Sequence, residues 1–242
     1  MGTVYLIPSL LSEEGVDAIP SAVLQAVKSC QVFYAESERT TRRYFKKIWK
    51  VYLPGEEMVI DDYEWFNMSD IPGIADTFRN QLRSNKTIGI ISEAGCPGVA
   101  DPGQALVAIA HEMGAVVKPV AGPSALLLAL MASGMSGQRF QFVGYLPVDQ
   151  QQRTAAIREL EAESARKDCT QLMIETPYRN NQLLEALVKT CRPSTFLSIA
   201  ANITGEKEMI ATRTIGQWRN KLPDLHKQPA IFSIHTKAGT LT

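Results

Sequence analysis

The stretch Thr87-Ile88-Gly89-Ile90-Ile91-Ser92-Glu93-Ala94-Gly95-Cys96-Pro97-Gly98-Val99-Ala100-Asp101-Pro102-Gly103 decides the fold class. Its first five residues are almost wholly apolar, which predicts a strand that is buried on both faces, as in a parallel sheet. In open α/β sheets, ligands bind outside the carboxyl ends of the strands. The segment that follows the strand, loop 92–103, is therefore a candidate ligand-binding loop. A tight structural turn is the alternative that spacing alone leaves open.

The composition of loop 92–103 favours a preformed binding surface. Its three glycines allow positive φ and close approach of the backbone to a ligand. Its two prolines restrict the chain, so the shape of the loop is set before a ligand arrives. Glu93 and Asp101 can accept hydrogen bonds from an amine or from hydroxyls. No Gly-Lys-Ser or Gly-Lys-Thr follows, which excludes a P-loop.

Helical and strand patterns alternate on both sides of this loop. They predict strands at residues 3–7, 31–34, 87–91, 116–120, 140–144, 170–174, 195–200, 208–214 and 230–235, and helices at 20–29, 40–50, 74–83, 104–113, 125–133, 150–165, 180–188 and 215–221. Residues 54–72 form a long, irregular, acidic stretch. The alternation predicts an α/β protein whose first part is doubly wound, while the consecutive strands near the end predict antiparallel or mixed pairing. A boundary near Val120 gives two α/β domains, 1–120 and 121–242, with a cleft between them.

Bulk composition excludes several classes of protein. The chain has 242 residues and a formal net charge of zero, so it is not a polycation and any nucleic-acid contact must come from a local patch. The four cysteines form no C-x-x-C pair and the three histidines have no metal-ligand spacing, which predicts no metal site. The longest apolar run, 125–132, is too short to span a bilayer, and the N-terminus has no signal-peptide pattern. We expect a cytoplasmic protein with reduced thiols and no membrane contact.

Residues 39–50 carry six cations with interleaved aromatic residues. On a helix, one face holds Arg39, Arg43, Lys46, Lys47 and Lys50. Basic residues next to aromatic ones are typical of RNA contact, where the aromatic rings stack on bases. The alternative is a solvated helix face whose aromatic side is buried in the core.

Six segments in matching order resemble one family. Loop 92–103 is similar to the Ser-Asp-Ala-Gly-Thr-Pro-x-x-x-Asp-Pro-Gly motif of the class III, or tetrapyrrole methylase-like, methyltransferases. The branch that looks nearest is the ribosomal RNA small-subunit cytidine 2'-O-methyltransferase family. Further matching segments are Gly-Thr-Val-Tyr-Leu-Ile-Pro at 2–8, Ala-Glu-Ser-Glu-Arg-Thr at 35–40, Pro-Val-Ala-Gly-Pro-Ser-Ala at 119–125, Arg-Phe-Gln-Phe-Val-Gly-Tyr-Leu-Pro at 139–147 and Ile-Glu-Thr-Pro-Tyr-Arg at 174–179.

Two segments depart from the family pattern. After Pro8 the family has Thr-Pro-Ile-Gly-Asn-Leu, whereas this chain has Ser-Leu-Leu-Ser-Glu-Glu-Gly at 9–15. Where the family has Arg-Glu-Leu-Thr-Lys, this chain has Ala-Ala-Asn-Ile-Thr-Gly at 200–205. These segments face the acceptor or line the cleft in the relatives, so the acceptor stays open between ribosomal RNA and a small, tetrapyrrole-like molecule. A third alternative is a protein that binds the methyl donor without catalysis.

The resemblance implies S-adenosylmethionine as the cofactor, bound between the domains, and a homodimer. The residues that it implies for cofactor contact are Pro8, Glu93, Ala94, Gly95, Val99, Ala100, Ser124, Ala125, Tyr145, Ile174, Ala201, Pro229 and Ala230. For chemistry on the acceptor side we select Glu36, Arg39 and Glu175. A surface ion pair is the alternative role for Glu36 and Arg39, and capping of the next helix is the alternative for Glu175.

Overall fold

A computed structural model describes residues 1–56 and 58–237 of the chain. The chain divides into two units, Met1–Ser124 and Ala125–Thr242, whereas the sequence placed the boundary near Val120. Among the described residues, no helix is long and apolar enough to cross a membrane. Nor do the described residues contain a group of three or more His, Cys, Asp or Glu side chains that could hold a metal ion.

The first unit is a five-stranded parallel sheet covered by helices. In chain order its elements are β1 (Thr3–Ile7), α1 (Ala22–Ser29), β2 (Val32–Ala35), α2 (Glu38–Tyr52), β3 (Glu64–Asn67), α3 (Ile71–Arg83), β4 (Thr87–Ile91), α4 (Gly103–Glu112) and β5 (Val116–Pro119). The strand order is β3-β2-β4-β1-β5, and every neighbouring pair is parallel. All carboxyl ends therefore meet at one edge of the sheet.

The central position of β4 explains its unbroken apolar sequence. Ile91 packs into the cluster formed with α1 and α2, while Ile88 and Ile90 pack into the cluster formed with α3 and α4. Both faces of the strand are thus buried, as the sequence predicts. Gly89 stands in the run because the ring of Phe33 lies on it: a Cβ there would come within 2.5 Å of the Phe33 Cδ1 atom.

Residues 54–72 are more regular than the sequence predicts. They contain β3, short 3-10 helices at Ile60–Asp62 and Met68–Asp70, and the first turn of α3. The strand forms because Trp65 and Phe66 pair with β2, with ring centroids 5.0 Å from those of Phe33 and Tyr34 respectively. That partner is distant in sequence, so the local acidic pattern concealed the strand. The proline at position 72 lies in the first turn of α3, where proline is tolerated.

The second unit has a mixed sheet. Its elements are α5 (Ala125–Ser133), β6 (Phe140–Tyr145), α6 (Gln150–Lys167), β7 (Thr170–Ile174), α7 (Asn180–Thr190), β8 (Phe196–Ala201), β9 (Met209–Thr214), α8 (Ile215–Trp218) and β10 (Ala230–His235). The strand order is β6-β7-β10-β8-β9. Only β6 and β7 pair in parallel among these described strands, and the other neighbours are antiparallel. The mixed pairing predicted for the end of the chain is confirmed.

Candidate functional site

Several predicted site residues meet at the carboxyl edge of the first sheet. Pro8 follows β1, Glu36 follows β2, and loop 92–103 follows β4. The Glu36 Oε1 atom accepts a hydrogen bond from the backbone N–H of Glu93 at 3.0 Å. Asn67, at the end of β3, donates its side-chain amide to the Glu36 carbonyl at 3.3 Å. The strand ends therefore tie Glu36 directly to the candidate loop.

Three carboxyl groups influence one another at this edge. Burial raises the pKa of Glu36, the nearby charges of Asp101 and Glu93 add to the rise, and the hydrogen bond from the Glu93 N–H opposes it. Burial also raises the pKa of Asp101, against hydrogen bonds from the N–H groups of Gly98 and Gly103. A carboxyl with a raised pKa is better matched to proton transfer near neutral pH than an ordinary glutamate.

Loop 92–103 has the preformed geometry that its composition predicts. Gly95 and Gly98 have φ of +73° and +80°, and Ala100 also has a positive φ, +58°, which an L-residue adopts at a cost. The Asp101 Oδ1 atom accepts hydrogen bonds from Gly98 N (2.9 Å) and Gly103 N (2.7 Å), which closes the turn. The Asp101 Oδ2 atom is buried and has no hydrogen-bond partner among the described residues.

Gly103, which could also adopt a positive φ, does not share that of the other two loop glycines. It begins α4, and a Cβ at this position would lie 2.9 Å from both Asp101 Oδ1 and Ile90 Cγ2. Close packing against the loop's own aspartate, and not backbone conformation, therefore requires a glycine there.

Segment 9–15, which departs from the family pattern, braces the loop. Ser9 and Gly95 exchange two backbone hydrogen bonds, with N–O distances of 2.9 and 3.3 Å. The Ser9 hydroxyl is buried and donates to the Ser92 carbonyl at 2.9 Å. The Leu11 Cδ2 atom would lie 3.1 Å from a Cβ at Gly95. Nothing in the local sequence indicates this contact, because the partners are 83 residues apart.

The turn at 121–124 also packs against Pro8 and loop 92–103. The Pro8 ring lies against Gly122, where a Cβ would come within 2.2 Å of the Pro8 Cβ atom. The Cys96 thiol donates to the Pro123 carbonyl at 3.4 Å, and its pKa is raised by burial, so it is a structural thiol and not a reactive thiolate. Tyr44 donates its hydroxyl to the Pro8 carbonyl at 2.8 Å.

Helix α2 buries its aromatic side and exposes most of its basic side. Tyr44, Phe45 and Trp49 belong to the core, so the stacking role that the sequence left open for them is not available. The outward stripe, which we call the basic face, consists of Arg39, Arg43, Lys46 and Lys50.

Lys47 departs from the predicted stripe, because its ammonium donates to the Glu13 carbonyl. The Glu36–Arg39 ion pair that the sequence left open as an alternative does not form, and Arg39 has no ion-pair partner in the described part of the chain.

Three carboxylates of the acidic stretch 54–72 form ion pairs with cations elsewhere in the first unit. Glu56 pairs with Lys28 at 2.7 Å, Asp61 pairs with Arg42, and Glu64 pairs with Lys86. Glu57 lies outside the described residues. These three acidic residues therefore pair with cations that do not belong to the basic face. Within the basic face, Arg43 pairs with Glu13 at 3.3 Å.

In the second unit, five of the predicted cofactor residues gather at one end of the sheet. Tyr145 pairs with Ile174 across β6 and β7, and Ala201 pairs with Ala230 across β8 and β10. Pro229 accepts a hydrogen bond from Asn202 N at 2.9 Å, which places it beside this end. Ser124 closes the first unit, and Ala125 begins α5.

Glu175 follows β7 and is held by an arginine. Its side chain is 1% exposed, and its Oε1 atom accepts hydrogen bonds from Arg179 Nη2 (2.7 Å), Arg179 Nε (3.0 Å) and Thr176 N (2.7 Å). It does not cap α7, which begins after Arg179 without a side-chain cap. Arg179 was not predicted as the partner of Glu175, although the i, i+4 spacing was a usable signal.

Comparison with known proteins places the chain among methylases. It is 30% identical over 215 residues to the ribosomal RNA small subunit methyltransferase I of Bacillus subtilis, which is 89% of this chain and 64% of that protein. The protein of the same name from Mesorhizobium japonicum is 37% identical over 134 residues, 55% of this chain and 44% of that protein. The chain thus spans less than two thirds of the length of these relatives.

Solved structures share the fold. A diphthine synthase matches 98% of this chain and 90% of its own with a TM-score of 0.66 at 14% identity. The methyltransferase CobJ matches 97% of this chain and 94% of its own with a TM-score of 0.62 at 16% identity. The expected two-part α/β fold is therefore confirmed. The sequence profile of the Tetrapyrrole (Corrin/Porphyrin) Methylases matches residues 15–218, and the chain belongs to that family.

Proposed function

We propose that the chain is an S-adenosylmethionine-dependent methyltransferase that methylates a ribose 2'-hydroxyl of ribosomal RNA. The observation that carries the proposal is the similarity, over 89% of the chain, to a relative named for methylation of small-subunit ribosomal RNA. The position of loop 92–103 at the carboxyl edge of a parallel sheet supports a ligand site there. An RNA acceptor of this kind also implies a cytoplasmic location.

The first unit has features that suit the cofactor. Gly95 leaves a hollow next to Leu11 that a Cβ would fill, and Asp101 presents a buried carboxylate oxygen without a partner in the described residues. An ammonium or hydroxyl donor would satisfy that oxygen. We assign cofactor contacts in this unit to Pro8, Glu93, Ala94, Gly95, Val99 and Ala100.

We also assign a cofactor contact to Ser124, the last residue of the first unit. In the second unit we assign cofactor contacts to Ala125, Tyr145, Ile174, Ala201, Pro229 and Ala230. Tyr145 is 59% exposed and is the side chain in this set that is best placed to be tested. We expect Tyr145→Ala to weaken binding of S-adenosylhomocysteine, whereas Tyr178→Ala, at another exposed tyrosine, serves as the matched control.

When bound, S-adenosylmethionine supplies a methyl group that is already activated by the sulfonium, so the protein mainly positions the acceptor. Glu36 is the residue that we assign to take the proton of the acceptor hydroxyl, because its raised pKa and its place beside Glu93 suit a general base. Arg39, in the first turn of α2 and exposed, is assigned to the acceptor's phosphate. Glu175 is assigned a positioning role through the Arg179 guanidinium.

Calorimetry and methyl transfer together test the proposal. We expect the full chain to bind S-adenosylmethionine and S-adenosylhomocysteine, and to transfer a tritiated methyl group to ribosomal RNA from a strain that lacks the corresponding methyltransferase. Absence of binding to either compound contradicts the cofactor assignment. Binding without transfer to that RNA contradicts the acceptor assignment.

A small-molecule acceptor is the second candidate, and the altered segments 9–15 and 200–205 favour it. Transfer to a tetrapyrrole-like compound but not to RNA would support it, and binding of the cofactor without transfer to either would support a non-catalytic role.

We also propose a homodimer. Exposed apolar residues of the second unit support it, notably Met131, which is 77% exposed. Light scattering tests this assignment.

A further inference from the structure

A cavity of about 490 Å³ lies within the second unit, and helices α6 and α7 supply most of its lining. Its volume falls in the roughly 300–1,000 Å³ range of pockets that hold small molecules. None of the residues that line it is among those assigned above to the cofactor or to the acceptor. The cavity therefore belongs to no site already described.

The spacing of the lining residues explains why a cavity forms between the two helices. Gln150, Thr154 and Arg158 recur at every fourth position of α6, so they lie along one face of that helix. Ala186 and Thr190 are likewise four residues apart on α7, which packs against α6. Thr154, Ala186 and Thr190 have short side chains, which leave open a space that longer side chains would fill.

Arg153 is a buried cation that lines this cavity. It is 7% exposed, and its guanidinium donates from Nε to the Pro147 carbonyl at 2.9 Å and from Nη2 to the Val148 carbonyl at 2.5 Å. These two hydrogen bonds fix the guanidinium at the start of α6. Among the described residues its Nη1 atom has no hydrogen-bond partner, and it is not one of the buried polar atoms, so its N–H groups are open to solvent. A guanidinium fixed in this way can donate to an anion with little further loss of side-chain freedom.

Two further cations line the same cavity. Arg158 is exposed and has no ion-pair or hydrogen-bond partner in the described part of the chain. The Lys189 ammonium lies 3.4 Å from Glu185 Oε2, and because both side chains are more than half exposed, this ion pair is weak and leaves the ammonium available to another anion. Glu185 is the one carboxylate among the described lining residues. Three cations and one carboxylate thus line the cavity, which favours a ligand with negative charge.

The number of cations distinguishes between classes of anion. A phosphomonoester carries about two negative charges near neutral pH and has three oxygens that accept hydrogen bonds. A phosphodiester of a nucleic-acid chain carries one negative charge. Arginine binds phosphate through two parallel N–H···O bonds. The cavity also has apolar lining, from Val148, which is 61% exposed, and from Ala186.

We infer that this cavity is a second ligand site, which binds a small organic phosphomonoester. Arg153, Arg158 and Lys189 bind the phosphate, and Val148 with Ala186 contacts the organic group. The site goes beyond the proposed methyl transfer, because it uses neither the cofactor residues nor the acceptor residues. Its ligand is a small molecule in addition to the methyl donor and the methyl acceptor.

Three compounds serve as probes for the full chain at constant ionic strength. Phenyl phosphate is a monoester with an apolar group, methyl phenyl phosphate is the matching diester with one negative charge, and inorganic phosphate lacks the organic group. We expect calorimetry to show saturable binding of phenyl phosphate, with about tenfold weaker binding of each of the other two. In NMR spectra, phenyl phosphate should shift the amide signals of Thr154 and Ala186.

Two variants test the cavity without altering the buried Arg153. Arg158→Gln should weaken phenyl phosphate by about tenfold, whereas Arg166→Gln, two turns further along α6 and outside the cavity, should leave the affinity unchanged. Ala186→Leu places a bulkier side chain in the cavity without a change of charge and should also weaken binding by about tenfold. Ala155→Leu, at an exposed alanine of α6 outside the cavity, is its matched control. Urea unfolding shows that each variant is folded.

No saturable binding of phenyl phosphate in the millimolar range overturns the inference. Equal weakening by Arg158→Gln and Arg166→Gln also overturns it, because that result would show general attraction to a basic surface. Equal affinity for the monoester and its methyl diester overturns the assignment of the ligand class. Calorimetry with S-adenosylhomocysteine on Arg158→Gln should match the parent, so a failure of this site and a failure of the proposed function are told apart.

Discussion

The carboxylate of Glu36 and the backbone N–H of Glu93 are joined by a 3.0 Å hydrogen bond between Oε1 and N. The two residues follow β2 and β4, which are neighbours in the sheet, so the bond links the start of α2 to loop 92–103. The same geometry brings the Glu36 charge near those of Glu93 and Asp101. Burial and the neighbouring charges disfavour the ionised carboxylate of Glu36, whereas the hydrogen bond favours it. Burial and the charges outweigh the hydrogen bond, so the pKa of Glu36 is raised.

Replacement of Glu36 should change how stability depends on pH. Because the pKa of Glu36 is raised on folding, the folded protein holds this proton more tightly than the unfolded chain does. The free energy of unfolding therefore falls as the pH rises from the ordinary glutamate pKa, about 4.3, through the raised value. Glu36→Gln removes this titration but keeps an oxygen that can accept from Glu93 N, so its unfolding free energy should fall less steeply over that interval.

Urea unfolding at a series of pH values measures this effect. The pKa of Asp101 is also raised, so in both the parent and Glu36→Gln it makes the free energy of unfolding fall as the pH rises. The variant's free energy of unfolding should therefore depend less on pH than the parent's but should still depend on it. Glu14→Gln, at an exposed residue, controls for the loss of one negative charge. A constant difference between Glu36→Gln and the parent at every pH would show that the Glu36 carboxyl does not titrate in this way.

Substitution of Gly95 should abolish cofactor binding while the fold survives. Gly95→Val places a branched side chain at a φ of +73°, where its Cβ would lie 3.1 Å from Leu11 Cδ2 and 3.4 Å from the Pro123 carbonyl oxygen. Calorimetry with S-adenosylhomocysteine and circular dichroism give the two readouts. Gly98→Val is the matched control, because Gly98 has a similar φ, +80°, but nothing lies within 4 Å of a Cβ there. Unchanged affinity in Gly95→Val would mean that the cofactor binds elsewhere.

Loss of the Ser9 hydroxyl should loosen the loop. Ser9→Ala leaves the buried Ser92 carbonyl without the donor that now lies 2.9 Å away, so we expect a loss of about 1 kcal/mol in the free energy of unfolding. Ser29→Ala removes a hydroxyl that is exposed and donates to the Gln25 carbonyl of its own helix. Urea unfolding should show a clearly smaller effect for this control. Equal losses in the two variants would argue against a bracing role for Ser9.

Sequence patterns predict those features of this chain that are set by neighbouring residues. The apolar run Thr87–Ile91 predicts a central strand because burial on both faces leaves no polar alternation, and the loop glycines predict positive φ because few other residues adopt it. Strand β3 escapes such patterns, since Trp65 and Phe66 become a strand through pairing with β2.

In the candidate site, too, contacts between residues close in sequence could be predicted and contacts between distant residues could not. The Glu175–Arg179 pair could have been read from its i, i+4 spacing. The contacts of Ser9 with Ser92 and of Glu36 with Glu93 span 83 and 57 residues, and only the topology of the sheet brings these partners together. The residue types at the carboxyl edge were therefore predictable from motifs, but their bonds to one another were not.

Two neighbouring arginines of α2 should affect RNA binding differently. Arg39 has an exposed side chain without an ion-pair partner in the described residues, whereas Arg42 is engaged by Glu38 at 2.8 Å, by Asp61, and by the Trp65 ring at 5.1 Å. A cation that already has protein partners releases few additional counterions when a phosphate approaches. We therefore expect Arg39→Gln to lower the slope of log K against log salt by about 1 and Arg42→Gln to leave it nearly unchanged.

Fluorescence anisotropy with a labelled ribosomal RNA hairpin at several salt concentrations gives both slopes. Arg42→Gln should instead lower the free energy of unfolding, because it removes contacts that tie α2 to the acidic stretch, and urea unfolding detects that loss. Arg39→Gln should unfold like the parent. Equal slopes for the parent and Arg39→Gln, with affinity unchanged, would show that RNA does not use the basic face, and the small-molecule acceptor would then be the better account of the chain.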